Sequence, residues 1–317
     1  MKNENVMTIK EITKRINDLK AEKNAVILAH YYQEEAIQNI ADFVGDSYGL
    51  SVEASRTKAD LIVFAGVHFM AETAKIINPS KKVVIPDSNA SCSLAESCPP
   101  IKFRNFIKDF PDHTVVTYIN CSAEIKAMSD IVCTSSNAVK VIESIPLDKP
   151  IIFAPDKNLG KYLQKITGRK FVLWDGACIV HEAFSFDKIV ELKLKHPQAV
   201  IVAHPESEEH ILSLANFIGS TSGMIEYVKN STKQTFIVAT EAGILHRMKI
   251  EVPNKTFIPA PTVEANSCSC SECGFMRLNT LVKILNCLET ESPEVNISPE
   301  ILSKAMIPIE KMLNLSA

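Results

Sequence analysis

Three short segments of the sequence repeat one pattern of potentially reactive side chains. Each segment is an apolar run followed directly by a polar aromatic residue, at His30, Tyr118 and His204. Seventeen positions after each aromatic residue stands a small hydroxyl residue, at Ser47, Ser135 and Thr221. The aromatic residues are 88 and 86 positions apart, which indicates three related units. A threefold repeat brings equivalent positions together at one axis, so we expect a single central site built from all three units.

The cysteines follow the same period. Cys92 and Cys178 are 86 positions apart, and one further period ends just before Cys268, Cys270 and Cys273. One cysteine per unit predicts a metal or iron–sulfur centre at the pseudo-threefold axis. A cluster held by three thiolates leaves one iron free to bind substrate as a Lewis acid. Two alternatives remain open from the residues alone: a structural zinc site within the 268–273 segment, or no metal.

The composition bounds the class of protein. Nine cysteines, an odd number, argue against a disulfide framework and for buried thiols with some metal ligands. Cys121, Cys133 and Cys287 are predicted to be core thiols. The net charge is −3 with acids and bases interspersed, so we expect no nucleic-acid partner and no anionic-membrane partner. No apolar stretch is long enough to cross a bilayer and no signal-peptide pattern is present, so we expect a cytoplasmic protein.

Acid–base groups lie two residues beyond the first and third aromatic positions. Tyr32 follows His30, and Glu206 follows His204, while the amide of Asn120 follows Tyr118. Phenol, carboxylate and imidazole in one cavity are general acid–base groups that burial can tune. A single histidine after an apolar run is often a core residue, and it is the threefold repetition that favours a site.

The three hydroxyl residues precede predicted helix starts. Free backbone N–H groups and hydroxyls at such positions bind anions, although simple capping of the helix is the alternative at each position. Together they would suit a small polyanion with carboxylates and a phosphate. No glycine-rich nucleotide motif is present, so a nucleotide is not indicated. Glu241 follows another predicted strand and is expected either to face the site or to cap the next helix.

Strand-length apolar runs alternate with helical segments along the whole chain. This alternation predicts an α/β architecture with parallel sheets covered by helices, about three strands per repeat, each repeat resembling a small Rossmann-like unit. Ligands of such sheets bind beyond the carboxyl ends of the strands. The predicted strands are 25–29, 61–65, 83–85, 114–117, 131–133, 151–154, 171–174, 199–203, 235–239 and 256–258.

Periodicity also predicts helices and domain boundaries. Helices are expected over 8–22, with Thr8 as N-cap, over 34–44 and 207–218, and over 300–313, the last packing with the N-terminal helix. We predict repeat 1 with the N-terminal helix over 1–104, repeat 2 over 105–193, and repeat 3 over 194–288. A C-terminal helical segment over 289–317 is expected to pack back on the N-terminal domain.

Taken together, the motifs at these positions resemble the quinolinate synthase family over the full length of the chain. The motifs that carry the resemblance are Leu28-Ala-His-Tyr-Tyr-Gln33, Gly45-Asp-Ser47, Pro86-Asp-Ser-Asn-Ala-Ser-Cys92, Tyr118-Ile-Asn120, Cys133-Thr-Ser135, Trp174-Asp-Gly-Ala-Cys-Ile-Val-His181, Ala203-His-Pro-Glu206, Gly219-Ser-Thr221, Ala239-Thr-Glu-Ala-Gly243 and Cys273-Gly-Phe-Met-Arg-Leu-Asn-Thr-Leu281. The resemblance implies three homologous Rossmann-like αβα domains around a pseudo-threefold axis, with a central active site.

The resemblance also implies a cofactor. Members of the family hold a [4Fe–4S] cluster with three cysteines, which correspond here to Cys92, Cys178 and Cys273. Many members have a C-x-x-C-x-x-C pattern around the third ligand, whereas this chain has cysteines at 268, 270 and 273, so Cys270 competes with Cys273 for that role.

The implied reaction is the condensation of iminoaspartate with dihydroxyacetone phosphate to quinolinate, phosphate and water, in NAD biosynthesis. The enzyme would be a transferase, and an L-aspartate oxidase or dehydrogenase would supply the iminoaspartate. Tyr32, His204 and Glu206 would move protons, and the open iron would act as a Lewis acid in the final dehydration. The implied substrate-binding residues are His30, Ser47, Tyr118, Ile119, Asn120, Ser135, His204, Pro205, Glu206 and Thr221.

Two other functional classes share some of these features. A zinc-dependent aldolase or hydrolase would use the same acid–base cavity with a different metal. An iron–sulfur sensor would use the cluster for signalling, but the sequence contains no basic recognition helix, and the acid–base residues would then have no purpose.

Overall fold

A computed structural model describes residues 7–263 and 271–316 and contains three four-stranded sheets of identical topology. All strands within each sheet are parallel. In each sheet the first and third strands of the unit are central, and the second and fourth strands form the edges. This architecture confirms the predicted α/β class with three Rossmann-like units.

The elements of the three units are as follows. The first unit contains α1 (Ile9–Glu22), β1 (Ala25–His30), α2 (Glu35–Ile40), β2 (Phe43–Gly45), α3 (Ser47–Arg56), β3 (Leu61–Ala65), α4 (His68–Ile77), β4 (Lys82–Val84) and α5 (Ser93–Glu96). The second contains α6 (Pro100–Lys108), β5 (Thr114–Tyr118), α7 (Ala123–Lys126), β6 (Ile131–Cys133), α8 (Ala138–Ser144), β7 (Ile151–Ala154), α9 (Lys157–Thr167), β8 (Phe171–Leu173) and α10 (Ile179–Glu182). The third contains α11 (Phe186–Lys195), β9 (Val200–Ala203), α12 (Glu209–Leu212), β10 (Phe217–Ile218), α13 (Thr221–Asn230), β11 (Thr235–Ala239), α14 (Ile244–Glu251) and β12 (Thr256–Pro259), and is followed by α15 (Leu281–Thr290) and α16 (Pro299–Ser316).

The ten predicted strands are all present, and the structure adds β2 and β10. Both added strands lie at sheet edges and have three and two residues. Each begins within five residues of the end of a short helix, so its apolar residues extend the helical pattern in the sequence. The helices expected over 34–44 and 207–218 are therefore shorter, at α2 and α12.

The same side-chain brace occurs at the same place in each unit. A residue near the start of the first strand donates its backbone N–H to the side-chain oxygen of the residue fifteen positions later. The same strand residue accepts, at its carbonyl oxygen, the backbone N–H of that later residue. Both contacts hold the chain entering the edge strand beside the first strand. The pairs are Ile27 with Asp42 Oδ2 at 2.8 Å, Val115 with Asp130 Oδ2 at 2.8 Å, and Ile201 with Asn216 Oδ1 at 2.9 Å.

The helices at the two ends of the chain pack in different places. Helix α1 begins with the predicted Thr8 cap, which forms a capping box with Glu11. Its buried face shares a core with the first sheet and with α15. The prediction that the last helix packs with the N-terminal helix is wrong, because the apolar face of α15 covers that site. Helix α16 instead packs on β6, α7 and α4, and its Ala305, Ile309 and Met312 join a core that spans the first two units.

Within residues 7–263 and 271–316, no helix has both the length and the apolar character that a membrane span needs.

The brace in the second unit can be tested because the third unit uses asparagine at the same place. Asp130→Ala removes the oxygen that accepts from Val115 and should lower the free energy of unfolding by about 1–2 kcal/mol. Asp130→Asn retains an amide oxygen, as Asn216 does, and should stay within about 0.5 kcal/mol of the wild type. Urea denaturation of the metal-free chain measures both, and equal losses in the two variants would contradict the brace.

Candidate active site

A partly open cavity lies where the carboxyl ends of the three sheets meet. The cavity is lined by His30, Tyr32, Asp46, Ser47, Tyr48, Val67, Phe69, Met70, Cys92, Tyr118, Asn120, Thr134, Ser135, Cys178, Val180, His181, His204, Glu206, Thr221, Glu241, Cys273 and Met276.

The structure therefore brings together nearly all of the side chains that the sequence proposed for the site. The candidate proton-transfer residues, the three hydroxyl residues and the three candidate ligands all face one space. Ile119 and Pro205 are buried directly next to lining residues, but they do not line the cavity themselves. Glu241 lines the cavity, which decides between the two positions expected for it.

The hydroxyl residues at the helix starts are not the helix caps. Helix α3 is capped by Asp46, whose Oδ1 accepts from the backbone N–H of Gly49 at 2.8 Å. Helix α13 is capped in the same way by Ser220. Simple capping thus does not account for Ser47 and Thr221, which occupy the first helical position and line the cavity. Ser135 Oγ lies 3.2 Å from His204 Nε2.

The amide of Asn120 adds an unpaired acceptor to this space. Its Oδ1 is buried and has no hydrogen-bond partner within the described residues. A buried polar atom of this kind costs free energy unless a ligand or water pairs with it. Asn120 is thus positioned to accept a hydrogen bond from a bound molecule.

A continuous chain of polar contacts joins two tyrosines across the cavity. Tyr32 Oη lies 2.6 Å from Thr240 Oγ1, which lies 3.0 Å from His181 Nε2. His181 Nδ1 lies 3.1 Å from Glu206 Oε2, and Tyr118 donates to Glu206 Oε1 at 2.6 Å. Because an ionised carboxylate only accepts, Tyr118 is the donor to Glu206, while His181 Nδ1 makes a close polar contact with Glu206 that lacks hydrogen-bond geometry. We refer to these five residues as the relay.

Glu206 carries the buried negative charge at the end of the relay. Burial raises the pKa of its carboxyl, but His181, His204 and the Tyr118 hydroxyl outweigh burial and bring the pKa to about 2. Asp156, also fully buried, has the opposite balance: burial and the nearby Glu206 charge raise its pKa well above the usual range. Glu206 thus carries the negative charge at neutral pH, and burial favours the protonated form of Asp156.

The two tyrosines of the relay remain protonated at neutral pH. Burial, and then the Glu206 charge, raise the pKa of Tyr32 and of Tyr118 well above 10. Both phenols are therefore hydrogen-bond and proton donors rather than phenolate bases.

The strand-end histidines are held neutral. Burial lowers the pKa of His30 and of His204 to about 4, against the opposing effect of Asp46 and Glu206. The Nδ1 atom of each ring accepts from the backbone N–H two residues on, at 3.2 Å in His30 and 3.4 Å in His204. That contact assigns the proton of the neutral ring to Nε2. Both rings can therefore donate one hydrogen bond from Nε2 to a ligand.

The three cavity cysteines share one local geometry. The backbone N–H groups two and three residues after each cysteine lower the pKa of the thiol, against the larger effect of burial. These groups belong to Leu94 and Ala95 after Cys92, to Val180 and His181 after Cys178, and to Phe275 and Met276 after Cys273. N–H groups directed towards sulfur favour a thiolate and help to set the potential of a bound iron–sulfur cluster.

The backbone before each cysteine is also held in the same way. The carbonyl two residues before the cysteine accepts an N–H from the turn that follows the third strand of its unit. We call this contact the backbone clamp. The clamps are His68 N–H to Ala90 O at 2.7 Å, Lys157 N–H to Gly176 O at 2.8 Å, and Ala242 N–H to Ser271 O at 3.1 Å.

The donor set fits a metal group with three thiolate ligands. All seven cysteines in the two described ranges are free thiols, and three of them line one cavity. Burial, together with the other thiols and Glu206, raises the pKa of Cys92 to about 12 and raises the pKa of Cys178 well above its usual value. A buried cation that favours three thiolates would reverse this preference. Cys121, Cys133 and Cys287 are buried away from the cavity, as predicted.

Two further observations concern which residues could be metal ligands. Cys268 and Cys270, the rival of Cys273, lie outside the described residues. Cys178, His181 and Glu206 also have ligand atoms within 4.8 Å of one another, a spacing that a single metal ion could use. This second set shares Cys178 with the first, so one chain cannot be expected to fill both independently.

Several residues of the site were not predicted from the sequence. His181 lies three residues after Cys178, and this spacing is the only feature of the sequence that marks it. Thr240 follows the end of β11, and Asp46 precedes Ser47, so their positions at strand ends were equally visible. Asp156 had a weaker signal, because it reads as an ordinary helix cap and does cap α9.

Comparison with known proteins gives one family. A family model described as Quinolinate synthetase A protein matches residues 14–314. A quinolinate synthase of Microcystis aeruginosa is 59% identical over 301 residues, which is 95% of this chain and 94% of that protein. Quinolinate synthases of Trichormus variabilis and Thermosynechococcus vestitus are 60% and 56% identical, covering 95% and 96% of this chain and 92% and 96% of those proteins.

The buried neutral state of His30 predicts a pH effect on stability. Its pKa in the folded state is about 4, below the 6.5 expected when unfolded, so the unfolded chain binds more protons between these values. Stability should therefore be complete above pH 6.5 and fall towards pH 4, with His30 contributing about 2 kcal/mol between pH 7 and pH 5.

Urea denaturation of the metal-free chain at the two pH values tests this. His30→Gln should reduce the difference by about that amount, whereas His196→Gln, at an exposed position, should leave it unchanged. An unaltered difference in His30→Gln would contradict the assignment.

Proposed function

The chain belongs to the quinolinate synthase family, and we propose that it condenses iminoaspartate with dihydroxyacetone phosphate in the central cavity, forming quinolinate, phosphate and water. The observation that carries this proposal is the meeting of three groups of residues in one cavity: three thiols, three hydroxyls and the relay. A reaction that loses phosphate and water and closes a ring needs anion binding, proton transfer and activation of a hydroxyl.

Anion binding is assigned to the hydroxyl residues and the helix starts. Ser47 and Thr221 stand at the first positions of α3 and α13, whose free N–H groups favour negative charge. Ser135, Asn120 and the neutral histidines add further polar groups around the same space. The substrates bring two carboxylates and one phosphate, which these groups would hold and orient.

Proton transfer is assigned to the relay. Glu206 is ionised at neutral pH and can accept a proton, while Tyr32 and Tyr118 are neutral and can donate one. His181 and Thr240 connect Tyr32 to Glu206, so a proton taken at one end can be replaced from the other. His204, neutral and protonated at Nε2, then serves as a hydrogen-bond donor to the substrate next to the proton-transfer residues.

The cofactor we propose is a [4Fe–4S] cluster held by Cys92, Cys178 and Cys273. The family implies an iron–sulfur cofactor, and the convergence of three thiols on one cavity supports these ligands. When bound, the cluster supplies a Lewis-acidic iron with an open position for the final dehydration.

The proposed reaction also bears on the class of the enzyme, its pathway and its compartment. We propose that it acts as a transferase in NAD biosynthesis in the cytoplasm, where the free thiols of the described residues would stay reduced. Iminoaspartate would come from an L-aspartate oxidase or dehydrogenase. The domain limits near 104, 193 and 288 remain part of the proposal.

Metal analysis of protein purified without oxygen tests the cofactor. We expect about four iron and four sulfide per chain. Cys178→Ala should lose most of the iron, whereas Cys121→Ala, at a buried thiol outside the cavity, should keep it. Stoichiometric zinc in place of iron would instead favour a mononuclear site at Cys178, His181 and Glu206, and with it a zinc aldolase or hydrolase.

Replacement of the relay carboxylate tests the reaction. Glu206→Gln removes the charge and the proton acceptor while keeping the size, so kcat for quinolinate formation should fall about 10²–10⁴-fold with the iron content unchanged. Glu208→Gln, two residues on and partly exposed, is the matched control and should retain activity. Full turnover by Glu206→Gln would remove this residue from the mechanism.

A further inference from the structure

Cys273, the third candidate ligand, is separated from the preceding strand by more residues than Cys92 and Cys178 are. Cys92 follows the end of β4 by eight residues, and Cys178 follows the end of β8 by five. Cys273 follows the end of β12 by fourteen residues. Because ordering a longer connection costs more conformational entropy, Cys273 needs stronger anchoring than the other two to reach the same place.

The backbone clamp alone does not provide that stronger anchoring. It is longest at the third unit, 3.1 Å compared with 2.7 and 2.8 Å at the other two. The third unit, however, adds a side-chain contact at the cysteine itself. Glu241 Oε1 accepts the backbone N–H of Cys273 at 3.0 Å, and it also accepts from Arg277 at 3.2 Å.

The Glu241 carboxylate is itself fixed on its other side. Its Oε2 accepts the backbone N–H of Gly243 at 2.6 Å. Gly243 in turn lies against the backbone of Tyr32, so closely that a Cβ atom there would be 2.7 Å from the Tyr32 carbonyl carbon. Glu241 is only 1% exposed. The carboxylate thus links the Cys273 segment to the contact between the first and third units.

The equivalent positions in the other units make no such contact. Counting two residues from the last alanine of the third strand gives Val67, Asp156 and Glu241. Val67 has no polar side chain, and the Asp156 carboxylate caps its own helix through the N–H of Leu159. The side-chain anchor is therefore specific to the unit with the longest connection.

We propose that Glu241 is a positioning residue for Cys273, holding the backbone of this ligand so that the three thiols together retain the iron–sulfur group. This inference rests on the proposed function, since it assumes that Cys273 is a ligand. Glu241 acts through the Cys273 backbone, so its removal changes how fast the group is lost.

The test measures cluster loss rather than catalysis. Anaerobically reconstituted wild type, Glu241→Gln and Glu241→Asp are mixed with a ferrous-iron chelator, and iron release is followed by absorbance. Gln presents an amide NH₂ to one of the backbone donors, and Asp keeps the charge but shortens the reach by about 1.5 Å. Both should lose iron about 10-fold faster than the wild type, as expected for the loss of one hydrogen bond to the Cys273 backbone.

Two controls separate positioning from general packing. Glu272→Gln removes the other carboxylate that contacts Arg277, at 3.4 Å and on the surface side, and should release iron within about threefold of the wild type. The melting temperature of each metal-free variant is measured beside its rate of iron release, because Glu241 is buried and also accepts from Gly243, so its replacement by itself lowers stability.

The possible results distinguish this inference from the proposed function. Wild-type rates of iron release in both Glu241 variants would overturn the positioning role and leave the proposed function standing. So would failure of both metal-free variants to fold, because Glu241 would then serve the fold itself. A wild type that binds no iron after reconstitution would contradict the proposed function, and the positioning role with it.

Discussion

The buried charge of Glu206 is the constraint on which the arrangement of the cavity depends. An ionised carboxylate that is fully buried costs several kcal/mol unless charged or polar partners surround it. Here the partners come from different units: Tyr118 ends a strand of the second sheet, His181 follows that sheet, and His204 belongs to the third unit with Glu206. The charge is therefore stable only when the units are packed together, so the acid–base group exists only in the assembled fold.

Threefold repetition supplies the scaffold, and divergence from it supplies the chemistry. The brace and the backbone clamp recur in all three units, as do the N–H groups that follow each cavity cysteine. The side chains that fill equivalent positions differ: two neutral histidines and one tyrosine at the strand ends, and Val67, Asp156 and Glu241 after the third strands. A symmetric cavity would present three identical groups, whereas the relay needs a base at one place and donors at others.

A site residue could be predicted when the repeat marks its position in the sequence, and not when only tertiary contacts make it important. His30, Tyr118, His204 and the cavity cysteines Cys92 and Cys178 were found because the period of the repeat marks them without any knowledge of contacts. His181 and Thr240 have side chains that the other units do not repeat at the equivalent positions, and their importance arises from two contacts with residues more than fifty positions away. The short edge strands β2 and β10 escaped prediction for a related reason, since pairing with a neighbouring strand, rather than local pattern, creates them.

Periodicity and local pattern alone were sufficient for the α/β class, the three units, the central strands and the convergence of three thiols, because these depend on spacing and on the burial of apolar runs. Tertiary structure decided the rest. It placed α15 rather than α16 on the N-terminal helix. It made Asp46 and Ser220, rather than Ser47 and Thr221, the caps of α3 and α13. It joined Tyr32 to Glu206 through residues of two other units. It also decided which carboxyl is ionised, because the pKa of Glu206 and that of Asp156 depend on partners that meet only when the chain has folded.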